Sequence, residues 1–210
     1  VIFLIKAVLF DFDMTLVDSS YAITEALNTI AEGEGLRTLS REEVLSVIGL
    51  PMDVSWVKLW GRYEPEWVDN YRMTFREREY AHIKVFPNTV SLLDQLMARG
   101  IPMGVASNRT KVSDAVKAVG FDKYFNCTLG ILDVEKAKPE PDMILKGLDI
   151  LQVAPEDAIY VGDTEADMAS AKAANVKGVG MTTGNCDHNT LTSAGAWKTF
   201  EDLRDILTLF

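Results

Sequence analysis

The chain has 210 residues, 48% of them hydrophobic, with 21 basic and 31 acidic side chains and a formal net charge of −10. This size allows a full core, in one large domain or in one domain carrying an insertion. The acidic balance argues against a nucleic-acid partner, because the phosphate backbone is bound mainly by Lys and Arg. It does not exclude a small phosphorylated ligand held beside a metal ion.

Two cysteines, Cys127 and Cys186, have no metal-type spacing and form no disulfide framework, so a reducing compartment is expected. No apolar run approaches the ~20 residues of a membrane span. The opening VIFLIKAVLF is broken by Lys6 and lacks the basic start and cleavage site of a signal peptide. The expectation is a cytoplasmic protein without a membrane partner.

In chain order, Ala7-Val8-Leu9-Phe10 has the composition of a strand buried on both faces. Asp11 and Asp13 follow at once, with Thr15 and Asp18 beyond. Asp18 and Ser19 precede a helical pattern and read as caps. Ile23, Leu27 and Ile30 form one helical face that Gly33 and Gly35 close. Ser40-Arg41-Glu42-Glu43 is a capping box, and Gly49-Leu50-Pro51 breaks the helix it starts. Trp56, Trp60, Trp67, Tyr71, Phe75 and Tyr80 recur at helical spacing, which fits a core stripe better than a ligand box. No strand signal appears from Ser19 to Ile83, so this region reads as an all-helical insertion after the first strand.

From Lys84 onward, strands and helices alternate. Helices are expected after Pro87-Asn88, around Val112–Val119, after Pro141, over Ala166–Ala174 and at the C-terminus. Strands are expected at Ile101–Ala106, Tyr124–Ile131, Ala158–Val161, Val176–Met181 and Trp197–Phe200. Such alternation implies an α/β fold, a doubly wound parallel sheet with helices on both faces. The boundaries expected are a Rossmann-like core over 1–15 and 87–210 and a small all-helical cap domain over 16–86.

The polar residues at the strand ends carry the chemistry. Buried carboxylates are costly unless paired or bound to a metal. Residues i and i+2 of an extended segment point the same way, so Asp11 and Asp13 aim at one volume. One of them can attack a substrate or hold Mg²⁺ while the other moves a proton. Two more strands end in Ser107-Asn108 and Gly162-Asp163, with Asp167 one helical turn on. Lys138 precedes a proline-rich helix start. A ligand of an open parallel sheet sits beyond the carboxyl ends of its strands. Several carboxylates, a hydroxyl, an amide and a Lys gathered there are a hard-oxygen setting for Mg²⁺, with a cation left for a phosphate. Singly, each has a plain alternative: Ser107 as a cap, Asp167 as a solvated helix residue, Lys138 as a surface charge. His82 and His188 have no partner motif and read as structural.

With these motifs in order, the chain closely resembles the haloacid dehalogenase-like hydrolases, in particular their phosphoglycolate phosphatase-like branch. DFDMTLVDS, VASN, KPEPD and VGDTEAD are similar to that family's four motifs, and the resemblance covers essentially the whole length. It implies a Mg²⁺-dependent hydrolase of a small phosphorylated metabolite, working through an aspartyl-phosphate as a monomer or weak homodimer. Asp11 would be the nucleophile and Asp13 the general acid/base. Asp163 would bind Mg²⁺ with Asp11 and the Asp13 carbonyl, and Asp167 would support the metal's water shell. Ser107 and Asn108 would hold the phosphate, and Lys138 would neutralise charge between it and Asp11. IGLPMD would be the cap's specificity loop, and Arg72 on the cap's inner face would grip a substrate carboxylate.

Two positions depart from the family pattern. Met14 stands where Gly is usual and is less permissive. Asn175 replaces Gly but tolerates a left-handed helix end. Among rival activities, a dehalogenase would not need an acid at Asp13, because a halide leaves unprotonated. A sugar-phosphate mutase, β-phosphoglucomutase-like, uses the same aspartates but typically carries a His in the first cap helix, and Tyr21–Ala31 has none. A phosphonate hydrolase would want a cap lysine, for which Lys58 is the interior candidate. An inorganic pyrophosphatase of the same fold is a further alternative. A non-catalytic binding module would have lost a key carboxylate, and none is lost.

Overall fold

The computed structural model describes residues 5–71 and 76–210. Strand β1 (Ala7–Phe10) is followed by a two-residue strand β2 (Val17–Asp18) and then by helices α1 (Ser20–Glu34), α2 (Arg41–Leu45), α3 (Met52–Trp60), α4 (Pro65–Asn70) and α5 (Arg76–His82). Strand β3 (Lys84–Val85) pairs antiparallel with β2, Val17 opposite Val85 and Asp18 opposite Lys84. The chain then alternates α6 (Thr89–Ala98), β4 (Met103–Ala106), α7 (Val112–Ala118), β5 (Cys127–Leu129), α8 (Asp142–Leu151), β6 (Ala158–Gly162), α9 (Glu165–Ala173), β7 (Lys177–Met181), α10 (His188–Ser193) and β8 (Lys198–Phe200).

The six longer strands form one parallel sheet in the order β5-β4-β1-β6-β7-β8. Every residue of β1 is buried, as the expectation of a strand covered on both faces requires. Its side chains alternate between two cores. Val8 and Phe10 pack with Leu92, Leu93 and Leu96 of α6 and with Val112 and Val116 of α7. Ala7 and Leu9 pack with Met143, Ile144 and Leu148 of α8 on the other face. Each such large side chain contributes about 1.5–3 kcal/mol of burial. Trp56, Trp67 and Tyr71 are buried together with Leu27, Ile30, Val44 and Leu59 in a separate core of the helical insert. Trp56 also stands edge-on to Trp60, so the stripe from Trp56 to Tyr71 is core.

Local signals account for several element ends. Ser40 and Glu43 form the expected capping box of α2. Gly35 ends α1 in the left-handed conformation. Asn175 takes the same conformation after α9, with φ 58°. At α1 the cap is Asp18, whose carboxylate accepts the Ser20 N–H at 3.0 Å; Ser19, at the N-cap position, makes no cap bond.

Several expected boundaries shift, among them the strand sought from Ile101, which begins at Met103. The strand sought over 124–131 narrows to β5, with 122–124 in a 3₁₀ turn. The strand expected from Val176 begins at Lys177. The C-terminal helix is 3₁₀ over Leu203–Leu209, because Leu203, Ile206 and Leu209 recur every third residue and so line one face at that pitch. Among the described residues no helix is long and apolar enough to cross a membrane. Arg72 and Phe75 lie outside the described residues.

Candidate active site

Strand β1 lies between β4 and β6, so the chain builds the sheet outward on one side of β1 and later crosses to the other. That reversal opens a crevice at the carboxyl ends of these strands. Asp11 follows β1, Ser107 follows β4 and Asp163 follows β6. All three are 2% exposed. Asp11 is fixed by its own N–H, which donates to the Val161 carbonyl at 2.8 Å, and Ser107 likewise by the Leu129 carbonyl at 3.0 Å.

The loop before α8 brings Lys138 into this crevice. Its Nζ donates to Asp11 Oδ1 at 2.8 Å, to Asp167 Oδ1 at 2.7 Å and to the Tyr160 hydroxyl at 2.9 Å. Neither Lys138 nor Asp167 is a surface residue, which removes the plain alternatives for both. Burial works against the Lys138 ammonium, but Asp11 and Asp167 outweigh it and hold the group above the ordinary lysine range. Thr15 donates to Asp163 Oδ1 at 2.9 Å.

The carboxylates around Lys138 differ although two of them share it. Burial pushes Asp11 up to about 7, against the pull of Lys138. Burial, with Asp167 and Asp11 nearby, raises Asp163 well above the usual range. Asp167 is equally buried but is held below it by Lys138 and by further donors. These are the Thr164 hydroxyl at 2.6 Å and the Thr164 N–H at 3.0 Å, which complete a capping box at the start of α9.

Oxygens of Asp11, Asp163 and Asp167 lie within 4.8 Å of one another. Three carboxyl groups share one ammonium in a buried space, and their hard oxygen donors suit Mg²⁺ or a similar cation, which would favour their ionised forms. The donor set therefore fits a divalent metal. A close approach keeps it compact: a Cβ on Gly184 would lie 1.9 Å from Asp163 Oδ2, so only glycine lets that loop close over the carboxylate.

The Asp13 carboxylate does not join this group. It is held by Arg109 in two parallel bonds, from Nε at 2.7 Å and Nη2 at 2.8 Å. The same Nη2 donates to Glu79 of α5, and Glu79 accepts from the Tyr71 hydroxyl. Burial opposes the Arg109 charge, but Asp13 and Glu79 more than offset it. Sequence reasoning stopped at Asn108 and missed Arg109 and Glu79. Arg109 opens a polar turn, and Glu79 sits in the charged run Arg76-Glu77-Arg78-Glu79, which reads as a solvated face.

The Asn108 side chain is used as a brace. Its Nδ2 donates to the carbonyls of Gly49 at 2.8 Å and Lys138 at 3.1 Å, and its Oδ1 accepts the Lys138 N–H at 3.0 Å. Met14 has φ 61°, the conformation glycine favours, and its side chain is buried. The left-handed cost of roughly 1–2 kcal/mol is offset by burial of similar size. Lys58 bonds to the Ser46 carbonyl at 3.1 Å and does not line the cavity.

That cavity, of about 120 Å³, lies between the crevice and the helical insert. Asp11, Asp13, Ser107 and Arg109 line it from below and Trp56 and Glu79 from the insert.

This fold and site define a class. Residues 8–181 match the family described as haloacid dehalogenase-like hydrolase, and the chain belongs to it. It is a hydrolase. Its relatives include a pyrophosphatase, PpaX, of Anoxybacillus flavithermus, 30% identical over 183 residues that cover 84% of this chain and 83% of that protein. Phosphoglycolate phosphatase of Escherichia coli strain K12 is 30% identical over 208 residues, covering 86% of this chain and 82% of that one. Among solved structures, a HAD-superfamily hydrolase of subfamily IA from Geobacter sulfurreducens superposes with a TM-score of 0.77 at 27% identity, over 98% of this chain and 100% of that one.

Proposed function

We propose that the chain is a metal-dependent phosphatase that hydrolyses a small phosphomonoester through an aspartyl-phosphate on Asp11. The observation that carries this reading is the cavity that Asp11, backed by the Lys138 ammonium at 2.8 Å, shares with Ser107 and Asp13. The Asp11 carboxylate attacks phosphorus, and the ester oxygen leaves with a proton from Asp13. Ser107 and Lys138 orient the phosphoryl group and balance its charge. The Asn108 side chain is committed to its brace, so its contribution to the phosphate is its backbone N–H. Asp13 then takes a proton from the attacking water, the Asp11–phosphorus bond breaks, and phosphate is released. Asp11 and Asp163, with the Asp13 carbonyl, would hold the metal, and Asp167 would anchor Lys138 and the metal's water shell. When bound, Mg²⁺ supplies positive charge to the carboxylates and to the phosphate oxygens.

Residues 16–86 act as a lid in this reading, and residues 1–15 with 87–210 carry the chemistry. The apolar roof and the small cavity favour a metabolite over a macromolecule. Relatives named for phosphoglycolate and for pyrophosphate stand at equal identity, so both compounds belong in the test. Phosphate release is measured with 2-phosphoglycolate, pyrophosphate, a hexose phosphate and p-nitrophenyl phosphate. Turnover should stop with a chelator, return with Mg²⁺, and be absent in Asp11→Asn. Full activity of Asp11→Asn would refute covalent catalysis by Asp11. Arg72→Ala should lower kcat/KM selectively for 2-phosphoglycolate over p-nitrophenyl phosphate if Arg72 grips a carboxylate.

A further inference from the structure

One half-buried cation lining the cavity has no part in the reaction just described. The Arg109 guanidinium lies between two carboxylates from distant parts of the chain, Asp13 after β1 and Glu79 on α5. Asp13 takes both of its parallel bonds, and Glu79, 2% exposed, shares the second nitrogen. Arg109 is also fixed from behind. Its carbonyl accepts the Ile131 N–H at 3.0 Å, and a Cβ on Gly130 would come within 2.4 Å of that carbonyl. Beside it, Asn108 donates to the Gly49 carbonyl of the insert. The insert therefore meets the floor of the site at two consecutive residues, directly after Ser107.

A planar fork bonded through two nitrogens sets both the position and the plane of the carboxylate it holds. The held form of Asp13 accepts hydrogen bonds on both oxygens, as suits a group about to take a proton. Moving the insert away takes Glu79 from the fork and opens Arg109 to water, so Asp13 alone is left to fix the plane of the guanidinium. We propose that Arg109 is a positioning residue that couples closure of the insert, through Glu79, to the placement of Asp13 for breakdown of the aspartyl-phosphate. In that step water bonds to phosphorus, its proton passes to Asp13, and the Asp11 oxygen leaves with the electron pair of the broken phosphorus–oxygen bond. Arg109 acts through the Asp13 carboxylate that its fork holds. The inference rests on the reading of Asp13 as the proton acceptor.

The test separates formation of the phospho-enzyme from its decay. The Mg²⁺-loaded enzyme is mixed with p-nitrophenyl phosphate, whose good leaving group makes the first step insensitive to Asp13. Formation is followed by p-nitrophenol release and decay by acid quench. Positioned acid–base catalysis is worth about 10²–10⁴-fold. Arg109→Lys, which keeps the charge and loses the fork, should slow decay at least tenfold and formation much less. Glu79→Gln, which keeps the shape and loses the lid-borne charge, should shift the split in the same direction. In an Asp13→Ala background neither change should slow decay further, because both act through Asp13. A purely structural role would lower the active fraction in both phases equally. Decay within twofold of the wild type in either single variant overturns the coupling. If Asp13→Ala itself leaves decay unchanged, the failure lies with the role of Asp13.

Discussion

Replacing Lys138 with Met removes the ammonium on which the site's charge balance turns. Met has similar length, so little space opens, and the cost is electrostatic. Nζ is within 2.8 Å of both Asp11 and Asp167, and all three side chains are nearly fully buried. Removing one partner of such a pair costs about 3–5 kcal/mol, because the remaining charge is left uncompensated. For a chain of this size each kcal/mol is worth roughly 2–4 °C in Tm, which gives a fall of roughly 6–20 °C.

The pH dependence follows from the same groups. The Lys138 charge is held above the usual lysine range, so its contribution is fully present at pH 8. Without it, Asp167 loses the cation that holds it low, and burial raises it together with Asp11 and Asp163. A raised carboxyl binds more protons folded than unfolded, so stability falls as pH rises. The deficit of the variant should be largest at pH 8 and should shrink toward pH 5. Thermal melts of wild type and Lys138→Met in chelator, at both pH values, read this directly. A Tm within 2 °C of wild type at pH 8 would refute the charge argument.

Other outcomes follow from named contacts. Metal-free wild type should lose stability as pH rises from the ordinary carboxylate range through about 7, where Asp11 gives up its proton; melts with excess Mg²⁺ should flatten that slope, and calorimetry near pH 6 should show proton release on metal binding. Gly184→Ala drives a methyl into Asp163 and should weaken Mg²⁺ binding at least tenfold, read by titration, with Tm changed by only a few degrees. Gly33→Ala lies on the exposed side of α1 with nothing within 4 Å of the added carbon, and should stabilise by about 0.5–1 kcal/mol in urea unfolding.

The sheet was legible because its strands are short apolar runs ending in polar residues, and that pattern survives without any knowledge of pairing. Asp11, Ser107 and Asp163 were legible for the same reason, each standing just after a strand end, Asp167 by its place in the first turn of the helix that follows, and Lys138 by the proline-rich stretch before α8. What escaped was set by tertiary approach. Arg109 and Glu79 are ordinary charged residues until two remote segments bring them to one point. The Asn108 amide ties two loops together, a use set by the approach of Gly49 and Lys138 and not by its neighbours in sequence. The 3₁₀ character of the C-terminus rests on a spacing of three, too short a run to separate from α-helical spacing by inspection.

The β2–β3 ribbon has a consequence for how such a chain diversifies. Val17 and Val85 are neighbours in space and 68 positions apart in sequence, so the whole insert hangs from one point. Both of its ends are fixed whatever lies between them. Doubling the intervening length would add only about 0.6 kcal/mol of closure entropy. The strands that carry Asp11, Ser107 and Asp163, by contrast, are locked into register with their neighbours and admit no insertion. Selection can therefore rewrite the roof of the cavity, and with it the range of compounds admitted, while the reacting groups beneath keep their spacing.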